Sequence, residues 1–246
     1  MNKTLLKMAA VGTLVLGAHQ AWAIPTGNLG GLQSALDSLT LAPNPGNSSV
    51  DVTTDYLADG SDAYWSVGGS GGAVSTMMIE LAGYTQNTFG IYDRANKDNK
   101  VELFSAANGA GSLKLLSILA DGSVFVNGTD TLVNFSGNNF GYYLGVPDAG
   151  ATWYSDTALN TDGADHMAAY QGVGDTLQIP PFSPGVWSQN EYALAWEDLP
   201  ENVSDHNFTD MVVMVESVTP APDGGATAAL LGLSVAGLAV VRRKRA

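Results

Sequence analysis

Short apolar-rich runs separated by clusters of Gly, Asn, Asp, Ser and Thr fill the middle of the chain, and that spacing predicts short β-strands. The clearest case runs from Glu191 to Val215. Tyr192, Leu194 and Trp196 alternate with Ala193 and Ala195, and Met211 to Val215 is continuously apolar, as a strand buried on both faces would be. The pattern predicts further strands over 63–67, 73–81, 89–92, 101–104, 113–119, 123–126, 140–144 and 151–154. Asp121-Gly122 falls between two of them as a hairpin turn. Two stretches read as polar loops, 93–100 and 155–175, and 180–184 reads as a Pro-rich extended connector. Near the start, Leu29, Leu32, Leu36 and Leu39 recur at spacings of three and four, predicting one short helix that Pro43 and Pro45 end. The expected fold is all-β, a mainly antiparallel β-sandwich or jelly-roll-like body with a short N-terminal helix, since no alternation of strand and helix appears.

The two ends follow different rules. Lys3 and Lys7, an apolar run from Leu5 to Gly17 and the small-x-small sequence Ala21-Trp22-Ala23 read as a secretory signal cleaved between Ala23 and Ile24. At the other end, residues 226–241 are uncharged and apolar, and Arg242, Arg243, Lys244 and Arg245 follow. Sixteen residues of helix rise about 24 Å, slightly under the roughly 30 Å of a hydrocarbon core. The run shows no polar face, so a transmembrane helix is expected, with its basic end cytoplasmic. The organisation expected is a signal peptide at 1–23, an N-terminal segment with the short helix at 24–62, a β-sandwich domain at 63–218 and a C-terminal sorting signal at 219–246.

Charge sharpens this picture. Most of the basic residues lie at the termini, so residues 24–222 keep only Arg94, Lys97, Lys100 and Lys114 against 23 acids, a net of −19. Such a surface repels nucleic acid and attracts divalent cations. The chain has no cysteine, which excludes disulfides and thiolate metal sites.

The best candidate chemistry lies in the loop between the two central strands. Carboxylates crowded between strands repel one another unless a cation or water screens them. Glu197, Asp198, Asp205, Asn207 and Asp210 offer oxygen ligands there, and Asp162 and Asp165 of the 155–175 loop are further candidates. An all-oxygen set suits calcium rather than zinc, and calcium takes about six to eight oxygens, more than one loop usually supplies. The alternative is that Asp198, Ser204 and Asn207 cap turns while the acids face water. Asp51, Asp55, Asp59 and Asp62 form a second acidic run that could hold an ion along one edge, but it lacks the D-x-D-x-D-G order of a calcium-binding helix-loop-helix and reads as a solvated loop. Gly68-Gly69-Ser70-Gly71-Gly72 matches a nucleophile-elbow pattern by letter, but a strand rather than a helix is expected after it, so it reads as a turn. His166 and His206 read as hydrogen-bonded loop residues.

Two segments resemble known families. The tail, with Pro222-Asp223-Gly224-Gly225, an apolar run and an Arg-rich end, resembles the PEP-CTERM class of bacterial sorting signals in its Pro-Asp variant, departing from it in having Asp-Gly-Gly for Glu-Pro. The resemblance implies recognition by an exosortase, a membrane protease. Residues 80–93, 140–144, 196–199 and 204–213 resemble the DUF4114 domain of exported bacterial proteins. In that family the last pattern reads Glu-Asp, then Asp-x-Asp-x-x-Asp. Glu197, Asp198, Asp205 and Asp210 match it, and Asn207 stands where an acid or Asn is usual. The resemblance implies export and a β domain, and no reaction.

The expected function is therefore that of a non-enzymatic exported protein of the cell surface or extracellular matrix, calcium-stabilised, with a role in adhesion, biofilm or exopolysaccharide matrix. Its expected partners are the exosortase and extracellular polysaccharide or other matrix proteins, with the membrane held through the C-terminal helix before processing. A carbohydrate-binding module is the alternative, with Trp65, Trp153, Trp187 and Trp196 as a sugar platform. A hydrolase using Glu197 and Asp198 is disfavoured, because neighbours on a strand point to opposite faces.

Overall fold

The computed structural model describes residues 27–68, 72–79 and 86–221, the stretch 74–79 through its backbone. The expected signal peptide, sorting motif and C-terminal helix lie outside the described residues, as do residues 69–71 of the Gly-Ser turn and residues 80–85. In chain order the elements are α1 (Gly30–Leu39), β1 (Thr40–Ala42), α2 (Asp59–Asp62), β2 (Trp65–Val67), β3 (Gly72–Ile79), β4 (Thr88–Asp93), β5 (Asn96–Phe104) and β6 (Leu113–Ile118). They continue with β7 (Ser123–Val126), β8 (Thr129–Asn134), β9 (Asn139–Val146), β10 (Ala151–Tyr154), β11 (Met167–Gln171) and β12 (Thr176–Leu177). β13 (Gly185–Val186), β14 (Glu191–Trp196), β15 (Met211–Glu216) and β16 (Val218–Pro220) complete the set. Among the described residues no helix is long and apolar enough to cross a membrane.

Two antiparallel sheets face each other. One has the order β16-β2-β9-β4-β5, with β10 sharing the β2 edge of β9. The other has the order β11-β14-β15-β3-β6-β7-β8. A small third sheet joins β1, β12 and β13. Between the large sheets lies the main core, with Phe89, Tyr142 and Leu144 on one side and Leu194, Trp196, Val213 and Val215 on the other. Edge-to-face aromatic pairs span the gap: Trp65 to Tyr192 with centroids 4.9 Å apart, and Phe89 to Trp196 at 6.1 Å. Such pairs add about 0.5–1.5 kcal/mol beyond the area they bury.

The alternation in β14 has its physical counterpart. Tyr192, Leu194 and Trp196 enter the main core, while Ala193 and Ala195 enter a second core on the outer face of the seven-stranded sheet. β15 does the same with Val213 and Val215 against Val212 and Met214. The leucine stripe of α1 closes that second core, with Leu32 and Leu36 fully buried. The helix is amphipathic and packs where the alanines leave room for it.

Several expectations are corrected. The helix ends at Leu39 before the prolines, because Thr40 leaves helical geometry and pairs with Leu177. Residues 96–100 are strand, not loop: only Arg94 and Ala95 form the β4–β5 turn. This edge strand is polar because it faces water, and its cations lie over the outer tyrosines: Lys97 over Tyr154 and Lys100 over Tyr143, with Arg94 over Tyr64. Residues 167–171, placed in a loop by the acids before them, form β11 against β14. β8 went unread because five of its six residues carry a polar or alternately exposed pattern at a sheet edge. Gly141 is required where it stands, since a Cβ there would lie 2.2 Å from the Tyr92 ring on the neighbouring strand.

Because α1 seals a core shared with the sheet, Leu36→Ala is expected to cost about 2–5 kcal/mol. Urea unfolding followed by tryptophan fluorescence and by circular dichroism should show one shared transition at lower midpoint. A separate early transition for the helix would contradict this packing.

Candidate functional site

Glu197 and Asp198 follow directly on β14, and Asp210 immediately precedes β15. The ladder continues through the Asp210 N–H, which donates to the Trp196 carbonyl at 3.2 Å. The loop 199–209 thus leaves and re-enters a hairpin whose strands are buried on both faces. The acids at its base are buried with it: Glu197 is 2% exposed, Asp198 1% and Asp210 4%. One oxygen from each lies within 4.8 Å of those of the other two. Because β14 ends at Trp196, strand alternation does not apply to Glu197 and Asp198, and both contribute to one cluster. That corrects the opposite-faces argument.

The donors recorded for this cluster are neutral. The Asp198 N–H donates to Asp210 Oδ2 at 2.8 Å, and the Leu199 N–H to Glu197 Oε1 at 3.1 Å. Asn87, one residue before β4, donates through Nδ2 to Asp198 Oδ2 at 2.9 Å. Glu197 Oε2 and Asn87 Oδ1 are buried and have no partner among the described residues. Burial, with Asp198 and Glu197 close by, pushes the Asp210 carboxyl up to about 8. Burial likewise raises Glu197. Carboxylates in this state are held at a cost unless protonated or bound to a cation.

Of the other residues singled out in the sequence, Asp205 lies near enough for its charge to help raise Glu197 and Asp210, but it is not one of the three buried acids. Asp205 is exposed and accepts from the Asn207 amide at 2.8 Å, and Asn207 Oδ1 accepts from the Thr209 N–H at 2.7 Å. Both act as turn caps in the loop, which Phe208 anchors in the second core. Asp162 ties the two acidic loops together. It accepts from the N–H of Ala164 at 3.1 Å and of Glu201 at 3.0 Å, and it lies 3.0 Å from His166 Nε2. Partial burial works against ionisation of Asp162, but these donors hold it below the usual carboxylate range. His166 stacks on Trp153 at 3.8 Å, its Nδ1 lies 3.0 Å from the Glu197 carbonyl, and the Trp153 indole donates to the Asp198 carbonyl at 2.8 Å. His206 is held by the Ser204 hydroxyl.

A second buried acidic group was not legible as such. Asp62, read as part of a solvated run, is 1% exposed, and Asp165 is 7% exposed. Burial and then the Asp165 charge raise Asp62 well above the usual range, and burial with Asp59 raises Asp165 to about 8. Asp165 sits with this group, while its Oδ1 accepts from the Met167 N–H. Asp51 and Asp55 are exposed and cap turns, as expected of a solvated loop. Trp65, Trp153, Trp187 and Trp196 are all buried, so they form no exposed platform.

Fold and site together define an antiparallel β-sandwich with a cage of buried carboxylates at the base of one hairpin. Residues 123–218 match the model of the domain of unknown function DUF4114, and residues 222–245 match the VPDSG-CTERM motif. The first match runs from β7 to the first residue of β16 and contains Glu197, Asp198 and Asp210; Asn87 precedes it. The second is consistent with an exported protein processed by an exosortase. No curated protein and no solved structure matches the chain.

The sign of the Asp165 effect follows from its direction. A carboxyl raised in the fold stabilises fully below its unfolded value and loses that contribution as pH rises through the folded one. Stability should therefore fall between about pH 4 and pH 8 on account of Asp165. Asp165→Asn, which keeps an oxygen for the Met167 N–H, should raise the melting temperature at pH 8 and leave it unchanged at pH 4. Melts in chelator at both pH values check this.

Proposed function

We propose that the protein is a non-enzymatic, exported cell-surface or extracellular-matrix component whose β-sandwich is stabilised by calcium held at Glu197, Asp198 and Asp210. The observation that carries the reading is the buried, unpartnered Glu197 Oε2 inside a trio of acids with oxygens within 4.8 Å of one another. That spacing suits oxygens around one ion, since calcium–oxygen distances are about 2.3–2.6 Å. The donor set is carboxylate oxygen with no thiolate, which favours calcium over softer metals. Exposure of 4% or less at all three acids argues against a hydrolytic cleft, which must admit a substrate. The sorting motif supports export, and the net charge of −19 over residues 24–222 supports a life among divalent cations at a surface or in a matrix. A role in adhesion or in an exopolysaccharide matrix fits these features. The buried tryptophans give the carbohydrate-platform alternative no support.

A thermal melt of the chain beginning at Ile24, with calcium and then with excess chelator, tests the reading. Calcium at about 100 times its Kd stabilises by about 2.7 kcal/mol, which moves the melting temperature upward by several degrees. Asp210→Asn should abolish most of that rise. A flat calorimetric titration with an unchanged melting temperature would remove calcium from the account.

A further inference from the structure

Asn87 stands apart from the acids in sequence by more than a hundred residues and lies before the segment that matches DUF4114. It is 1% exposed. Its amide nitrogen is accounted for by the Asp198 carboxylate at 2.9 Å, whereas its Oδ1 has no partner among the described residues. A buried amide oxygen without a donor is costly, and native structures rarely retain one without a ligand or water to satisfy it. The amide group whose nitrogen touches Asp198 thus carries one unsatisfied oxygen, and the trio of acids that includes Asp198 carries another, Glu197 Oε2.

We infer that Asn87 Oδ1 is a ligand of the same cation, so that the ion is shared between the two sheets of the sandwich. This rests on the reading of Glu197, Asp198 and Asp210 as a calcium site. Asn87 leads into β4 of the six-stranded sheet; the three acids frame the β14–β15 hairpin of the seven-stranded sheet. A neutral amide oxygen beside three carboxylates brings coordination without adding a fourth negative charge, in keeping with the mixed oxygen sets calcium accepts. Asn87 then has two tasks: its N–H orients Asp198, and its oxygen completes the shell. The cation acts as a clasp at one end of the sandwich, holding the entry to β4 against the base of the hairpin.

Two substitutions in the full chain separate these tasks, with calcium ion alone as the probe in isothermal titration and thermal melts. Asn87→Leu removes both groups and should weaken calcium binding tenfold or more. Asn87→Asp removes the N–H donor but keeps oxygen, and adds repulsion with Asp198. It should lower the melting temperature in chelator, bind calcium at least as tightly as the unmodified chain, and show a larger calcium-induced rise. An Asn87→Asp chain that loses calcium as Asn87→Leu does would show that Asn87 acts only through its N–H, overturning the inference. So would an Asn87→Leu chain whose affinity stays within twofold of the unmodified one. Absence of calcium binding by the unmodified chain is a different result: it defeats the underlying calcium reading before Asn87 is at issue. Should Asn87→Leu fail to fold, the Asn87→Asp comparison still decides.

Discussion

β14 and β15 are buried on both faces, and that constraint propagates through the molecule. A strand with a core on each side can carry no charge along its length, so Tyr192 to Trp196 and Met211 to Val215 are apolar without interruption. On β14 the second-core face is lined by Ala193 and Ala195, which alternate with large residues and leave room for the helix. The second core then needs a cover, which α1 provides with Leu32 and Leu36. The hairpin's ends also lie inside the protein. Acids placed where these strands run out are desolvated by position, whereas the same acids at the tip of an ordinary hairpin would face water. The chemistry of Glu197, Asp198 and Asp210 is in this sense a product of where the sheet is thickest.

The strands that the sequence revealed are those with one buried face and one small or polar face, and those buried on both. The period of two in β14 and the apolar run in β15 leave few other conformations. What escaped is equally physical. The first half of β5 (96–100) and all of β8 lie at sheet edges where most side chains meet water, so their polarity resembles that of a loop. β11 hides behind a run of acids, and its short Met-Ala-Ala-Tyr core carries no strong period. The helix was visible because four leucines share one stripe, and it ends with that stripe at Leu39; the chain turns at Thr40, ahead of the prolines that marked the stop in the sequence.

The site was half legible. Crowded carboxylates between two strands drew attention to the correct loop, and three of its residues do meet. Spacing along the chain cannot distinguish an acid at the loop's base from one at its tip, and only the former are buried. Asp205 and Asn207, nearer the tip, satisfy their loop's own N–H groups. No chemistry singles out Asn87 in the sequence: it lies within the 80–93 stretch that resembles DUF4114, but a single asparagine before a strand reads as a turn residue. Asp62 and Asp165 each stand out in the sequence, but their association depends on the segment before α2 pairing with β11, through the Tyr56–Tyr170 bridge and the Leu57 N–H bond to the Ala169 carbonyl.

The pairing of β16 with β2 bears on how the tail is handled. That ladder runs to Pro220 opposite Trp65, and the Ala221 N–H is still tied to the Tyr64 carbonyl at 2.7 Å. The sorting motif match begins at the next residue, 222. There is consequently no slack between the folded body and the recognition sequence. A protease that grips an extended peptide on both sides of residue 222 competes with β2 for the same backbone, and must peel an edge strand from the sandwich or work from the tail side alone. If the tail is processed by an exosortase, the β16–β2 ladder would limit how far upstream a cut could fall.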